Sequence, residues 1–164
     1  MKVPFSWLKR YVDIDVTPQV LQDKLFSCGF EVEELLYLGA EISKVVVGVV
    51  TEAVPQEGTH LHVCKVDCGP YGHDIQISTG APNVYVGMHT PAALDGATLP
   101  GGVTIKARAL RGVESNGMLC SGEELGLNED LYPGAEVYGL LDLPKDTVPG
   151  ADIVPVVGLD DYIF

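Results

Sequence analysis

The 164-residue chain has little positive charge, few cysteines and no long apolar run. Ten Lys and Arg stand against 23 Asp and Glu, a formal net charge of −13 at pH 7. A freely diffusing nucleic-acid binder shows the opposite balance, so contact with a polyanion has to come from a local cluster of cations. Cys28, Cys64, Cys68 and Cys120 are too sparse for a disulfide scaffold and read as buried thiols in a reducing compartment. The longest aliphatic run, Val45 to Val47 continued past Gly48 by Val49 and Val50, falls far short of the ~20 apolar residues of a membrane helix. The opening residues Met1 to Arg10 lack the apolar stretch of a secretory signal. The expectation is a cytoplasmic protein with no membrane partner.

What is present suits a globular chain. With 46% hydrophobic and 20% charged residues, it should bury about 70% of its unfolded surface. That suits one domain or one domain with a small appendage.

Three textures follow along the chain. In the first, about residues 1–40, Thr17 can cap a helix that starts at Pro18, whose missing N–H costs nothing there. Leu21, Leu25 and Cys28 would make one apolar stripe, and Gly29 occupies the left-handed position past the helix end. Phe30 and Val32 alternate with Glu31 and Glu33, which predicts a half-buried strand.

The second texture, 41–152, is β-rich, with glycine and proline as turn punctuation. Strands are expected near 45–54, 61–68, 74–79, 89–94 and 103–110. In the last, Val103, Ile105, Ala107 and Ala109 share a face. The 61–68 strand changes phase between Leu61/Val63 and Val66/Cys68, and a one-residue bulge there would return both pairs to the core. Leu119 to Leu127 could form a short helical plug. Five short strands and a plug point to a five-stranded Greek-key barrel of the OB type, since an eight-strand jelly roll would need more strands.

The third texture, 153–164, is apolar and acidic and stops at Tyr162-Ile163-Phe164. Such an ending suggests a fragment whose last residues pair with the opening segment, making the barrel an insertion. The fold class expected is mainly β with an α+β flank, the barrel being inserted in a small, truncated α+β domain.

Catalytic and metal motifs are weak or missing. His60, His62, Cys64 and Cys68 share parity in one extended segment and mix zinc-type donors, but no second pair of close cysteines completes a site. Neither phosphate-cradling glycine motif occurs, nor does Gly-x-Ser-x-Gly. No catalytic or metal residue is assigned.

The basic residues are the functional candidates. Between 41 and 152 there are six, Lys44, Lys65, Lys106, Arg108, Arg111 and Lys145, against fifteen acidic ones, a net of −9. Lys106 and Arg108 share a strand face, Arg111 follows in the adjoining turn, and Lys65 joins them if its strand is a neighbour. OB barrels hold single-stranded or looped nucleic acid on such a face, with aromatics under the bases. Aromatics are thin: Tyr71 and Tyr85 are the candidates, with no Phe or Trp in this region. The competing reading is that these cations simply pair with the surrounding carboxylates.

Several segments carry a family resemblance. Leu61-His62-Val63-Cys64-Lys65-Val66-Asp67-Cys68-Gly69, Gly80-Ala81-Pro82-Asn83-Val84 and Gly96-Ala97-Thr98-Leu99-Pro100-Gly101-Gly102 with Ile105-Lys106 are three of them. The most specific is Leu110-Arg111-Gly112-Val113-Glu114-Ser115-Asn116-Gly117-Met118-Leu119-Cys120-Ser121, running on to Glu124-Leu125-Gly126-Leu127. These resemble the tRNA-binding OB domain of several aminoacyl-tRNA synthetases and their accessory factors. The head, with Trp7-Leu8 and Cys28-Gly29-Phe30-Glu31-Val32-Glu33, is similar to the start of the bacterial phenylalanyl-tRNA synthetase β subunit.

The resemblance implies a non-catalytic, N-terminal tRNA-binding module of a phenylalanine–tRNA ligase. In it, 1–40 is the first half of an α+β domain, 41–152 the OB domain and 153–164 the start of the truncated second half. It implies tRNA(Phe) as a weak or auxiliary partner and an α subunit in an α2β2 assembly. ATP and Mg2+ are implied for the full enzyme, with no cofactor in this fragment. It makes Lys65, Lys106, Arg108, Arg111, Ser115, Gly117 and Met118 the nucleic-acid-binding candidates.

In one place the chain departs from the family pattern. Pro55-Gln56-Glu57-Gly58-Thr59-His60 replaces a His-Pro-Asn-Ala-Asp-Lys-like loop, and Tyr85 replaces a usual cation. Fewer phosphate contacts follow. This leaves open an assembly module without tRNA contact, or a free-standing tRNA-binding factor.

Overall fold

The computed structural model describes residues 1–164. In chain order its elements begin with α1 (Phe5–Leu8), α2 (Pro18–Ser27), β1 (Leu36–Tyr37), β2 (Ser43–Pro55), β3 (His62–Asp67), β4 (Ile75–Thr79) and β5 (His89–Leu99). They continue with β6 (Val103–Thr104), β7 (Arg108–Leu110), β8 (Val113–Ser115), β9 (Gly117–Leu119), α3 (Ile153–Val156) and β10 (Tyr162–Ile163). Two compact units result, Met1–Ala40 with Gly158–Phe164, and Glu41–Val157, so the second interrupts the sequence of the first.

The split unit is built from local signals. Thr17 Oγ1 accepts from Val20 N at 3.3 Å and Pro18 opens α2. At the other end Gly29, at φ +87°, lets Gly29 N donate to Phe26 O and Phe30 N to Leu25 O, which completes a Schellman cap. The expected strand over Phe30–Glu33 does not form. Alternation alone cannot make a strand without a partner, and pairing starts only at β1, where Leu36 faces Ile163 and Tyr37 faces Tyr162. Val3 and Phe164 also exchange two 2.9 Å hydrogen bonds, so the last residues pair with the opening segment. Helix α2 buries no residue, and Leu21 and Leu25 are only half-covered. Cys28, read from the sequence as a buried thiol at the end of that stripe, is exposed: it is the C-cap residue of a helix that buries none of its residues.

The second unit is a nearly closed, five-stranded antiparallel barrel. β4, β3, β2 and β5 pair in that order, and β9 adds to β5. Closure comes where the β8–β9 segment meets β4: Asn116 N donates to Gln76 O at 2.8 Å, and Ser78 N donates to Ser115 Oγ at 3.0 Å. This is the Greek-key path of an OB-type barrel. Inside lie Val50, Cys64, Val66, Ile77, Ala92 and Leu119 among others.

Three strand expectations are corrected. The bulge is not in the 61–68 strand but on its partner: β2 holds the extra residue Thr51 between Val50, opposite Val66, and Glu52, opposite Lys65. Strand β3 then keeps one parity, burying Cys64 and Val66, with Cys68 following just past its end. Leu61 and Val63 are half-buried rather than core. The 103–110 segment is not one strand. β6 pairs with the end of β5, only Ile105 of the expected inward face is buried, and β7 turns back to pair with β8. The barrel's fifth strand is therefore the β8–β9 segment.

The plug is a short 3-10 turn, Glu123–Leu125, with Leu125 buried. A capping box precedes it, in which Glu124 N donates to Ser121 Oγ and Ser121 N to Glu124 Oε1. The 153–164 segment, expected to belong wholly to the returning flank, divides instead: residues up to Val157, with α3 among them, group with the barrel unit. The strap before α3 bonds to β2, with Val47 N donating to Ala151 O and Gly150 N to Val47 O, and Ile153, Val154 and Val157 are buried.

Candidate nucleic-acid interface

The six cations of the barrel unit fall into two groups. Three are engaged: Lys44 Nζ donates to Asp95 O at 3.2 Å, Lys65 Nζ to Gln76 Oε1 at 3.1 Å, and Lys145 Nζ to Gly87 O at 3.2 Å and to the Tyr85 hydroxyl. Lys145 also lies 3.6 Å from Asp142, whose carboxylate accepts from Tyr85. The charged heads of Lys106, Arg108 and Arg111 form no ion pair and no hydrogen bond. The reading in which the cations are absorbed by neighbouring carboxylates fails for these three. Their placement keeps the carboxylates of a strongly acidic unit out of reach.

The β7–β8 hairpin explains their position. Leu110 faces Val113 across a two-residue turn of Arg111 and Gly112, both at positive φ, +51° and +81°. This is the type I′ geometry that right-twisted strands favour, with glycine suited to its second position. An arginine at the first is unusual, because its Cβ crowds the next carbonyl. Gln56 Nε2 braces the turn by donating to Arg111 O at 3.0 Å. The guanidinium thus stands exposed on a backbone that the turn holds against its own preference.

Lys106, Arg108, Met118, Gly117 and Ser78 line one groove of about 290 Å3, walled also by Val103, Ile105 and Leu110. It contains two cations and no carboxylate. A second groove of about 470 Å3 shares Arg108, Met118 and Ser78 but is bordered by Glu123, Glu124 and Glu136. The charge lining the first groove is wholly positive, whereas in the second three carboxylates stand beside Arg108.

The remaining predicted site residues are placed as follows. Ser115 is 1% exposed, its hydroxyl accepting from Ser78 N and donating to Gly117 O at 3.1 Å, so it pins the barrel closure and offers a ligand nothing. At Gly117 a Cβ would lie 2.5 Å from Ala93 O, so glycine lets β9 approach β5. Lys65, tied to Gln76, lies on the outer face of β3, away from the groove. Gln76 Nε2 in turn donates to Glu114 O at 2.8 Å, which links that face to the hairpin. Tyr71 and Tyr85 are not in either groove, whereas Tyr138, 85% exposed, borders the second.

Ser78 and Tyr138 were missed from the sequence. A lone serine in a strand and a lone tyrosine in a glycine-rich loop carry no periodic signal. No three His, Cys, Asp or Glu side chains converge as a metal site, and no glycine loop cradles phosphates before a helix.

Fold and groove together define an OB-type barrel with a cationic side. Residues 45–152 match the family described as "Putative tRNA binding domain", and the chain belongs to that family. Over its whole length the chain is 43% identical to the phenylalanine–tRNA ligase beta subunit of Moorella thermoacetica and 46% identical to that of Clostridium acetobutylicum. It is also 46% identical to that of Chromobacterium violaceum. Each alignment covers 100% of this chain and 20% of the relative, so the chain spans about a fifth of the length of the curated relatives it matches. No helix is long and apolar enough to cross a membrane.

Proposed function

We propose that this chain is the N-terminal, tRNA-contacting module of a phenylalanine–tRNA ligase β subunit. It supports ATP-dependent aminoacylation of tRNA(Phe) in the cytoplasm without carrying out the reaction, as one part of an α2β2 assembly with an α subunit. ATP and Mg2+ belong to other parts of that enzyme. The observation that supports the reading is the set of three unpaired cations, Lys106, Arg108 and Arg111, on a unit whose other cations are engaged. Each phosphate they neutralise releases counterions, giving a salt slope of about −0.7 to −0.9 per contact.

Binding of tRNA(Phe) to the 164-residue chain, measured at about 50 and 200 mM salt, should therefore weaken roughly twentyfold to fortyfold across that range if all three act. The Lys106→Ala/Arg108→Ala variant should flatten the slope by about two contacts. An affinity that ignores salt, or is unchanged in that variant, overturns the tRNA role.

A second reading draws on the other groove. Its three glutamates and the exposed Val137 and Tyr138 favour a protein partner. Under it the cation variants charge tRNA normally, while Tyr138→Ala impairs assembly of the ligase.

A further inference from the structure

Four buried side-chain polar atoms lack a hydrogen-bond partner, on Gln56, His62, Ser78 and Thr90, and of these residues only Ser78 lines the carboxylate-free groove. Ser78 is 4% exposed, and its Oγ is buried with no hydrogen-bond partner. A buried hydroxyl left unpaired destabilises the fold, so native structures keep few of them. Ser78 alternates with the inward Ile77 along β4 and lines the carboxylate-free groove. Around it stand the apolar side chains of Ile105, Leu110 and Met118, with Lys106 and Arg108 also in the lining.

The volume, about 290 Å3, lies just below the ~300–1,000 Å3 typical of ligand sites. That is room for one flat ring and its sugar phosphate, not for a stack. The chemistry asked for is an anion attached to a flat, mostly apolar body that has a polar edge. An unpaired nucleotide has all three parts, and splayed bases are how single-stranded RNA is read.

From this, and resting on the tRNA reading above, we infer that the groove between β4, β7 and β9 takes one unpaired nucleotide of a tRNA loop. The base lies against Met118, Leu110 and Ile105, its edge meets Ser78 Oγ, and Lys106 and Arg108 hold the flanking phosphates. The thioether of Met118 is a polarisable platform for a ring, and the Arg108 guanidinium plane offers a second surface for stacking. This supplies the base contacts that the shortage of aromatics on the barrel otherwise denies it. The hydroxyl both donates and accepts, so the site holds a base without choosing strongly among the four.

The test uses the whole chain with its methionine methyls labelled. Met118 reports on the groove, and Met88, fully buried in the core, is the control. Adding tRNA(Phe) or a single-stranded RNA hexamer should shift the Met118 methyl to saturation and leave Met88 in place, while a fully paired RNA duplex moves neither. Ser78→Ala should weaken hexamer binding about fivefold, the loss of one hydrogen bond, with an unchanged or raised Tm because an unpaired hydroxyl has gone. Ser78→Val, which fills the groove and suits a strand, should weaken it further.

If tRNA binds with the salt slope of Lys106 and Arg108 but Met118 stays still and Ser78→Ala binds normally, the nucleotide site is wrong and the tRNA reading stands. If no tRNA binds at all, both fall. A duplex that moves Met118 as the hexamer does, or an acidic peptide that moves it where RNA does not, also overturns the site.

Discussion

The two units of this chain are stabilised in different ways. All the buried hydrophobic residues but Phe5 and Leu159 belong to residues 41–157. Half of the exposed large hydrophobic side chains, Trp7, Tyr11, Phe26 and Phe30 among them, belong to the split unit. There the backbone is well satisfied, by a capped helix and a two-residue ladder, and aromatic pairs such as Tyr37 and Tyr162, 5.0 Å apart, add contact. Satisfied hydrogen bonds are worth little net, whereas stability scales with apolar area removed from water, roughly 25 cal/mol per Å2. The lesson is that good local chemistry can define elements without making a core.

The largest expected difference is in thiol reactivity. Burial pushes the Cys64 thiol up to about 11, and burial with the Asp67 charge does the same for Cys68. Cys120 is raised further, chiefly by burial and then by Glu124. Cys28 is exposed on the split unit. With a neutral thiol reagent at pH 7.5, Cys28 should react at once and the other three only through opening of the barrel, at least ~1,000-fold more slowly if opening costs even the low end of ordinary stability. Four thiols reacting at similar rates would erase the contrast between the units.

Truncation of side chains should show the same division in kcal/mol. Ile77 is 0% exposed in the barrel, and Ile77→Ala should lower stability by about 2–5 kcal/mol in urea denaturation. Phe26, 72% exposed on α2, should lose well under 1 kcal/mol on replacement by Ala. Equal costs would mean that α2 has a cover under the conditions of measurement.

The same division governs what the sequence could reveal. The cap and stop of α2 were legible because Thr17, Pro18 and Gly29 act within a few residues of themselves. The barrel class was legible because strand count and turn spacing are additive along the chain. Register was not. The apolar phase change around Leu61 does not bend β3, which keeps one parity and leaves Leu61 and Val63 half-buried; the extra residue is Thr51 of β2, and only pairing decides which strand takes a bulge. Over 103–110 the alternation was present, yet the Arg111-Gly112 turn recruits Arg108–Leu110 into a hairpin with β8. In the candidate site the cations were visible as types, but their freedom from carboxylates was not. Ser78 was invisible, since an orphaned hydroxyl is a property of three-dimensional surroundings.

Arg111 allows stability and binding to be pulled apart. Replacing it with Asn, which tolerates the left-handed turn position, should stabilise the barrel by about 0.5–1 kcal/mol. The same change should remove one phosphate contact and reduce the salt slope of tRNA binding by ~0.7–0.9. A thermal melt and a salt titration on one variant then move in opposite directions. If both are unchanged, the strained arginine has neither a structural cost nor a role in binding.

The smallest effect expected is in acid. Gly69 N donates to Asp67 Oδ1 at 2.9 Å and the His73 ring nitrogen lies 2.9 Å from the same oxygen. The Gly69 amide first, then His73, hold the Asp67 carboxyl below its usual 3.8. A depressed carboxyl stabilises the fold at pH values above its unfolded pKa, and that stability is lost as pH falls through the folded value. Asp67 should therefore matter fully above about pH 4 and progressively less below it. Its side chain is 32% exposed, so solvent screening keeps the contribution well under 1 kcal/mol. The consequence is local, because Gly69 opens the turn that packs on the strap: a Cβ there would lie 2.4 Å from Pro149 O. Asp67→Asn should shallow the loss of stability between pH 5 and 3 and speed amide exchange at Gly69 at neutral pH, without touching exchange in α2. A change in α2 of the same size would contradict an effect confined to the Asp67–Gly69 turn.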